Sequence, residues 1–142
     1  PHTREEKQGG MADAPAGVPG LETTLPLLLT AAGEGRLLLS DVVRLTSSGP
    51  AAIFGLKRKG HVAPGYDADM VLVDPAQQST IKEETLKTRS NWTPCAGRRV
   101  KGRIEQVFLR GRLAYAEGKA RVKPGYGRAV EFDGGANGQS GA

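Results

Sequence analysis

The sequence predicts an α+β chain, with helices over residues 1–56 and strands over most of the remainder. Leu25, Leu28, Leu29 and Ala32 recur at i, i+3, i+4 and i+7, the spacing of one apolar helical face. The run from Asp69 to Asp74 is short, apolar and bounded by Gly65 and Pro75, as a buried strand is. Beyond it, Arg110-Gly111 and Glu117-Gly118 are turn pairs that set off further short strands.

The elements follow in order. Residues 9–20 form a loop, because Pro15, Pro19 and four glycines (Gly9, Gly10, Gly17, Gly20) forbid a helix there. Helices occupy residues 22–56. The first runs from about Glu22 to Glu34, with Pro26 tolerated only in its first turn and Gly33 or Gly35 as its stop. Ser40 caps a second helix, where Asp41 meets the positive end of the dipole and Leu39, Val42 and Val43 face inward. Ser48-Gly49-Pro50 restarts a third, which Gly55 ends. Residues 57–130 make a small β-region. After the strand Asp69–Asp74, Gln77–Asn91 reads as polar surface loop with one helical turn. Ile104, Val107 and Leu109 then lie in a second strand, and Arg112–Ala116 forms a third. Residues 131–142 have the glycine-rich composition of a disordered tail.

Composition narrows the classes. A net charge of +5 can attract nucleic acid or an anionic metabolite. Apart from Lys57-Arg58-Lys59 and Arg98, Arg99 and Lys101, however, the basic residues are scattered with no aromatic run beside them. No nucleic-acid partner is therefore expected. Cys95 is the only cysteine, so no intramolecular disulfide can form, and a reducing compartment is the expectation. With only His2 and His61 beside it, Cys95 cannot complete a cysteine/histidine zinc site. The apolar run Leu25–Leu29 falls far short of the ~20 residues of a membrane span, and Pro1–Lys7 is too charged for a signal peptide. A cytoplasmic location with no membrane partner is the expectation. The chain opens on Pro1-His2 without an initiator Met, as though continuing a longer sequence.

Taken singly, a histidine near a terminus is usually solvated, and a Gly/Pro loop is usually only a turn. Together they have the order and spacing of one family. Pro1-His2-Thr3-Arg4-Glu5-Glu6-Lys7, then Ala14 to Thr23, then Leu25-Pro26-Leu27-Leu28-Leu29 resemble the dihydroorotases, and Gly49 to Leu56 continues the match. Gly60 to Asp69 is similar to the strand-entry motif of many amidohydrolases. Asn91-Trp92-Thr93-Pro94, Val100-Lys101-Gly102 and Lys123 to Gly127 resemble the dihydroorotase domain of the animal multifunctional pyrimidine-synthesis protein. The resemblance covers nearly everything from Pro1 to Val130.

The resemblance implies the last strand end and last helices of a TIM-type (β/α)8 amidohydrolase barrel, residues 1–56, followed by most of a small composite β-domain. It implies zinc-dependent, reversible cyclisation of N-carbamoyl-L-aspartate to dihydroorotate in pyrimidine synthesis. A metal-bound hydroxide and a proton-shuttling aspartate would do the chemistry. In the family that aspartate precedes the position of Pro1 and the zinc ligands lie on earlier barrel strands, so neither a catalytic nor a metal residue is assigned to this chain. Three substrate contacts carry over: His2, which hydrogen-bonds the substrate carboxylate, and Ala16 and Gly17, which meet it chiefly through backbone. The implied partners are the N-terminal remainder of the same enzyme, a second copy in a homo-oligomer, and aspartate transcarbamoylase. On this reading the isolated chain is inactive. The alternatives are a dihydropyrimidinase or allantoinase, an inactive scaffold partner of aspartate transcarbamoylase, and a basic nucleic-acid-binding module.

Other residues receive plainer readings. Trp92 is a packing anchor, Asp69 and Asp74 satisfy turn backbone, Glu5, Glu6 and Lys7 form a solvated charge run, and Cys95 is not activated.

Overall fold

The computed structural model describes residues 2–10 and 12–133. Helix α1 spans Leu21–Gly33; α2 (Leu39–Val43) runs through a π-helical segment, Arg44–Ser48, into α3 (Gly49–Phe54). Strands β1 (Met70–Thr80), β2 (Arg99–Leu109), β3 (Arg112–Ala116) and β4 (Lys119–Ala120) lie in that order in a four-stranded sheet. Short 3-10 turns occupy Glu5–Lys7 and Glu83–Thr85. Helices first and strands after make the chain α+β. Among the described residues, no helix is long and apolar enough to cross a membrane.

The chain divides into two compact units, one of residues up to Leu39 with Asp74–Arg103, the other of Ser40–Val73 with the residues from Ile104 on. This division does not follow the change in composition at Leu56. Strands β1 and β2 are each 11 residues long, and each contributes residues to both units.

In the first unit, α1 is built from its N-terminal turn. Thr23 and Thr24 give both their amides and their hydroxyls to the Gly20 carbonyl, at 2.8 to 3.2 Å. Pro26 lies inside the helix rather than in its first turn. Its ring removes one helical N–H, yet the helix continues because it is docked further on. Thr30 Oγ1 donates to the Pro26 carbonyl at 2.7 Å and accepts the Lys101 amide of β2 at 2.8 Å. The buried face is Thr23, Leu29, Thr30 and Ala31. The expected stripe keeps only Leu29 fully covered, because threonines that bond to backbone share the interface.

In the second unit, the expected break before Gly49 is replaced by continuous π-helical backbone. The Gly49 amide bonds the Arg44 carbonyl, five residues back, so the chain passes Pro50 without a gap. A Cβ at Gly49 would stand 2.5 Å from that carbonyl oxygen, which leaves only glycine room there. Ser48 makes no side-chain cap, and Ser40 lies within α2. Of the three expected inward residues only Val42 is buried; Leu39 and Val43 are more than half exposed. Gly55 ends α3 in the left-handed region, at φ +59°.

Strand β1 continues through Pro75 to Thr80, six residues past its expected end at Asp74. It stands at the end of the strand order, where a residue without an N–H is tolerated. Asp74 Oδ1 accepts the amides of Ala76 and Gln77, at 2.9 and 3.3 Å, and carries the backbone past the proline. Strand β2 begins at Arg99, five residues before Ile104. Strand β3 has the expected bounds. Leu109 pairs with Arg112 around Arg110-Gly111 (φ +49° and +75°), the signs of a type I′ turn. Glu117-Gly118 repeats it at φ +53° and +75° and leads into β4. Lys57 donates its amide to the Glu131 carbonyl and Leu56 pairs with Phe132, so the chain is still bonded at residues 131–132. The rest of the expected tail, residues 134–142, lies outside the described residues.

A charge cluster holds the entry to β1. Lys59 Nζ lies 2.7 Å from Asp67 Oδ2 and 2.5 Å from Asp69 Oδ2, while Asp69 Oδ1 accepts the Arg110 amide at 2.7 Å. Burial works against the Lys59 charge, but the bonds to Asp67 and Asp69 outweigh it and raise its pKa. The bond from Lys59 lowers the pKa of Asp67. A raised lysine pKa stabilises the fold below the unfolded value of about 10.4, and that contribution is lost as pH rises through the folded value. A lowered aspartate pKa stabilises it above about 3.9, and that contribution is lost as pH falls through the folded value. Lys59→Met in the complete protein is therefore expected to lower the urea midpoint most between about pH 5 and pH 9, with the gap to wild type narrowing at both extremes. Urea titrations across pH 3–11 measure it, and a gap independent of pH would contradict it.

Candidate functional site

A cleft of about 700 Å³ lies in the first unit, and His2, Ala16 and Gly17 all line it. The three residues expected to meet substrate are thus brought together, although 14 and 15 positions separate the loop pair from the histidine. Leu86, Lys87, Thr88 and Thr93 line it as well.

Each part of the cleft is held by a separate set of bonds. Thr3 and Glu6 close a reciprocal capping box: the Thr3 amide donates to Glu6 Oε2 at 2.6 Å and the Glu6 amide to Thr3 Oγ1 at 3.3 Å. The backbone bond from Thr3 lowers the Glu6 pKa, with the nearby His2 adding to the effect. His2 Nδ1 stands 3.6 Å from Glu6 Oε2, and the Trp92 indole N–H donates to the His2 carbonyl at 2.8 Å. Arg4 reaches both carboxylate oxygens of Glu83 at 2.5 and 2.6 Å, and Glu83 also accepts the Thr93 amide at 3.2 Å. The residues after His2 are therefore anchored at several points, which leaves the imidazole 47% exposed at the cleft.

The glycine loop is anchored in the same way. The amides of Asp13 and Ala14 both meet the Gly10 carbonyl at 2.9 Å, Lys7 Nζ donates to the Pro15 carbonyl, and Thr93 Oγ1 donates to the Pro19 carbonyl at 3.5 Å. Gly17 takes φ +83°, the left-handed region that favours glycine. A Cβ there meets no atom of the described residues within 4 Å, so backbone conformation rather than crowding calls for glycine. Facing the loop, Glu22 in the first turn of α1 accepts the amides of Lys87 and Thr88 at 2.8 to 2.9 Å.

Some roles differ from the sequence reading. Glu6 and Lys7 are not a merely solvated run, since one closes the capping box and the other holds the loop at Pro15. The Thr3-x-x-Glu6 spacing was the available signal. The parts of Glu22, Glu83 and Thr93 left no such mark, because they bond across 10 to 79 positions of sequence. Trp92 pins the histidine's backbone through its indole. Asp69 and Asp74 do accept turn amides, from Arg110 and from Ala76 and Gln77.

Among the described residues, no three His, Cys, Asp or Glu side chains converge as metal ligands. The zinc implied by the resemblance thus finds no ligand set on these residues. What the cleft offers is an imidazole, a glycine-opened backbone and a lysine, groups that bind and orient an anion.

Residues 10–114 match the family model described as the amidohydrolase family. The chain belongs to the amidohydrolase family. Within it, the similarity is to dihydroorotases. The chain is 53% identical over 97 residues to the dihydroorotase of Halobacterium salinarum, covering 68% of this chain and 23% of that protein. It is 41% identical over all 142 residues to the dihydroorotase of Pyrococcus horikoshii, covering 33% of that protein. To the multifunctional protein CAD of Squalus acanthias it is 45% identical over 130 residues, 92% of this chain and 5% of that one. The chain thus spans a third or less of the relatives it matches. Among solved structures, the D-hydantoinase (dihydropyrimidinase) of a Thermus species superposes with a TM-score of 0.83 at 32% identity, over 90% of this chain and 29% of that one.

Proposed function

We propose that this chain is the substrate-loop portion of a dihydroorotase, which reversibly cyclises N-carbamoyl-L-aspartate to dihydroorotate in the cytoplasm. One observation carries the reading: His2, Ala16 and Gly17 line a single cleft in a chain whose relatives are dihydroorotases. In the proposed arrangement, residues 1–56 end a TIM-type barrel and residues 57–130 form most of a small β-domain. His2 donates to the substrate carboxylate, and Ala16 and Gly17 present backbone to it, with Gly17 admitting close approach. The zinc and the proton-shuttling aspartate come from the rest of the enzyme. The exposed side chains of Ile53 and Val62, each at least 80% accessible, are the kind of surface that the remaining barrel would cover. A homo-oligomer and association with aspartate transcarbamoylase, both implied by the family resemblance, complete the proposal, and the likeness to the multifunctional protein CAD supports a multi-domain setting.

A second reading, a dihydropyrimidinase-type enzyme, is favoured by the likeness to hydantoinase structures. Substrate choice separates the two. The complete enzyme is expected to close N-carbamoyl-L-aspartate with a kcat/KM at least about a hundredfold above that for opening hydantoin. That gap is what a site built to bind a substrate carboxylate imposes on a substrate without one. Steady-state kinetics on both compounds measure it, and a preference for hydantoin would overturn the dihydroorotase reading.

A further inference from the structure

We propose that Lys87 is a specificity-determining residue whose ammonium gives this cleft its preference for an anionic substrate, with Glu22 as the residue that positions it. The inference rests on the dihydroorotase reading and extends it to a further residue that lines the cleft.

The composition of the cleft carries the argument. Val18, Pro19, Leu21 and Leu86 supply apolar wall, which offers a carboxylate nothing in exchange for its lost water. Lys87 and Glu22 are its fully charged residues, one of each sign. The two are not equally available. Glu22 spends its carboxylate on the amides of Lys87, 2.9 Å from each oxygen, and of Thr88 at 2.8 Å. Those bonds tie the backbone of residue 87 to the first turn of α1, which fixes the root of the lysine side chain. The Lys87 ammonium, by contrast, makes no ion pair or hydrogen bond with the described residues. Lys87 lines the same cleft as His2 and Gly17, and an ammonium rooted in that fixed backbone, with no partner among the described residues, can meet a second negative charge. Without it, Glu22 would be the cleft's one full charge and would repel a dicarboxylate.

The complete enzyme tests this through Lys87→Gln, Lys87→Arg and Glu22→Gln, with KM and kcat for N-carbamoyl-L-aspartate measured at low and high ionic strength. Lys87→Gln is expected to raise KM about tenfold with kcat within about twofold, and to flatten the fall of kcat/KM with salt. Lys87→Arg restores KM to within about threefold, because charge and not shape is at issue. Glu22→Gln, which keeps an acceptor and the lysine, raises KM by a smaller factor and leaves the salt dependence intact. The inference is overturned if Lys87→Gln keeps the wild-type KM and salt dependence, or if the Gln and Arg variants lose activity alike. A wild-type enzyme inert towards N-carbamoyl-L-aspartate would instead overturn the functional reading, and this inference with it.

Discussion

The isolated chain is expected to show no cyclisation of N-carbamoyl-L-aspartate, even with zinc supplied. His2, Ala16, Gly17 and Lys87 line the cleft, and the roles proposed for them are all in binding: an imidazole, open backbone and an ammonium. Binding substrate and transition state equally well lowers KM without accelerating the chemical step. Acceleration in this reaction needs an activated hydroxide and a general acid–base, and the described residues contain no cluster able to hold the metal. Positioned proton transfer alone contributes about two to four decades, and a metal-generated nucleophile contributes several kcal/mol more. A deficit of about four decades or more against the complete enzyme is therefore expected. The assay follows ring closure by the purified chain with added zinc. Turnover that survives repurification would show that the chemistry lies within these 142 residues after all.

The second large effect concerns Gly102. In β2 it takes φ +94°, and a Cβ built on it falls 2.7 Å from both Cβ and Cδ1 of Leu29, a side chain only 5% exposed. Two costs add in Gly102→Ala. A left-handed backbone costs a residue with a Cβ roughly 1–2 kcal/mol, and an extra carbon in a packed interface costs roughly 1–3 kcal/mol. The variant of the complete protein is expected to lose about 2–5 kcal/mol. Gly118→Ala isolates the first cost, because Gly118 has φ +75° and no atom of the described residues would lie within 4 Å of its Cβ. It should lose only about 1–2 kcal/mol. Urea unfolding of both variants gives the comparison, and equal losses would mean that α1 does not pack on β2 as described. The contact matters for function because α1 carries Glu22 at one end and Leu29 and Thr30 further along. Pushing the helix off β2 would move the cleft wall that Glu22 holds.

Local chemistry was legible in the sequence. Arg110-Gly111 marked a two-residue hairpin, Gly55 a left-handed helix stop, and Arg112–Ala116 a strand with its observed bounds. The hydrogen bonds of Asp69 and Asp74 also follow from what carboxylates do beside turns. Features that depend on distant partners were not legible. Pro75 read as the end of β1, and only the strand's position at the end of the sheet order lets it continue. Ser48-Gly49-Pro50 marked the start of α3 but not the π-helical segment that joins it to α2, because a five-residue hydrogen-bond spacing leaves no periodic signal of its own. The early part of β2 was hidden by Gly102, a strand-weakening residue that is there because Leu29 occupies the space of its side chain. For the cleft, His2, Ala16 and Gly17 came from resemblance to a family and not from their spacing. The groups that hold the cleft walls together, Glu22 and Glu83 among them, emerged only from the fold.

The central claim is that His2 meets substrate and not metal. The measurement that tests it most directly is zinc stoichiometry together with steady-state kinetics for His2→Ala in the complete enzyme. Loss of one hydrogen bond to a carboxylate is expected to cost roughly 1–3 kcal/mol, or about one to two decades in kcat/KM, with zinc content unchanged. Loss of zinc, or wild-type kinetics, would contradict the account.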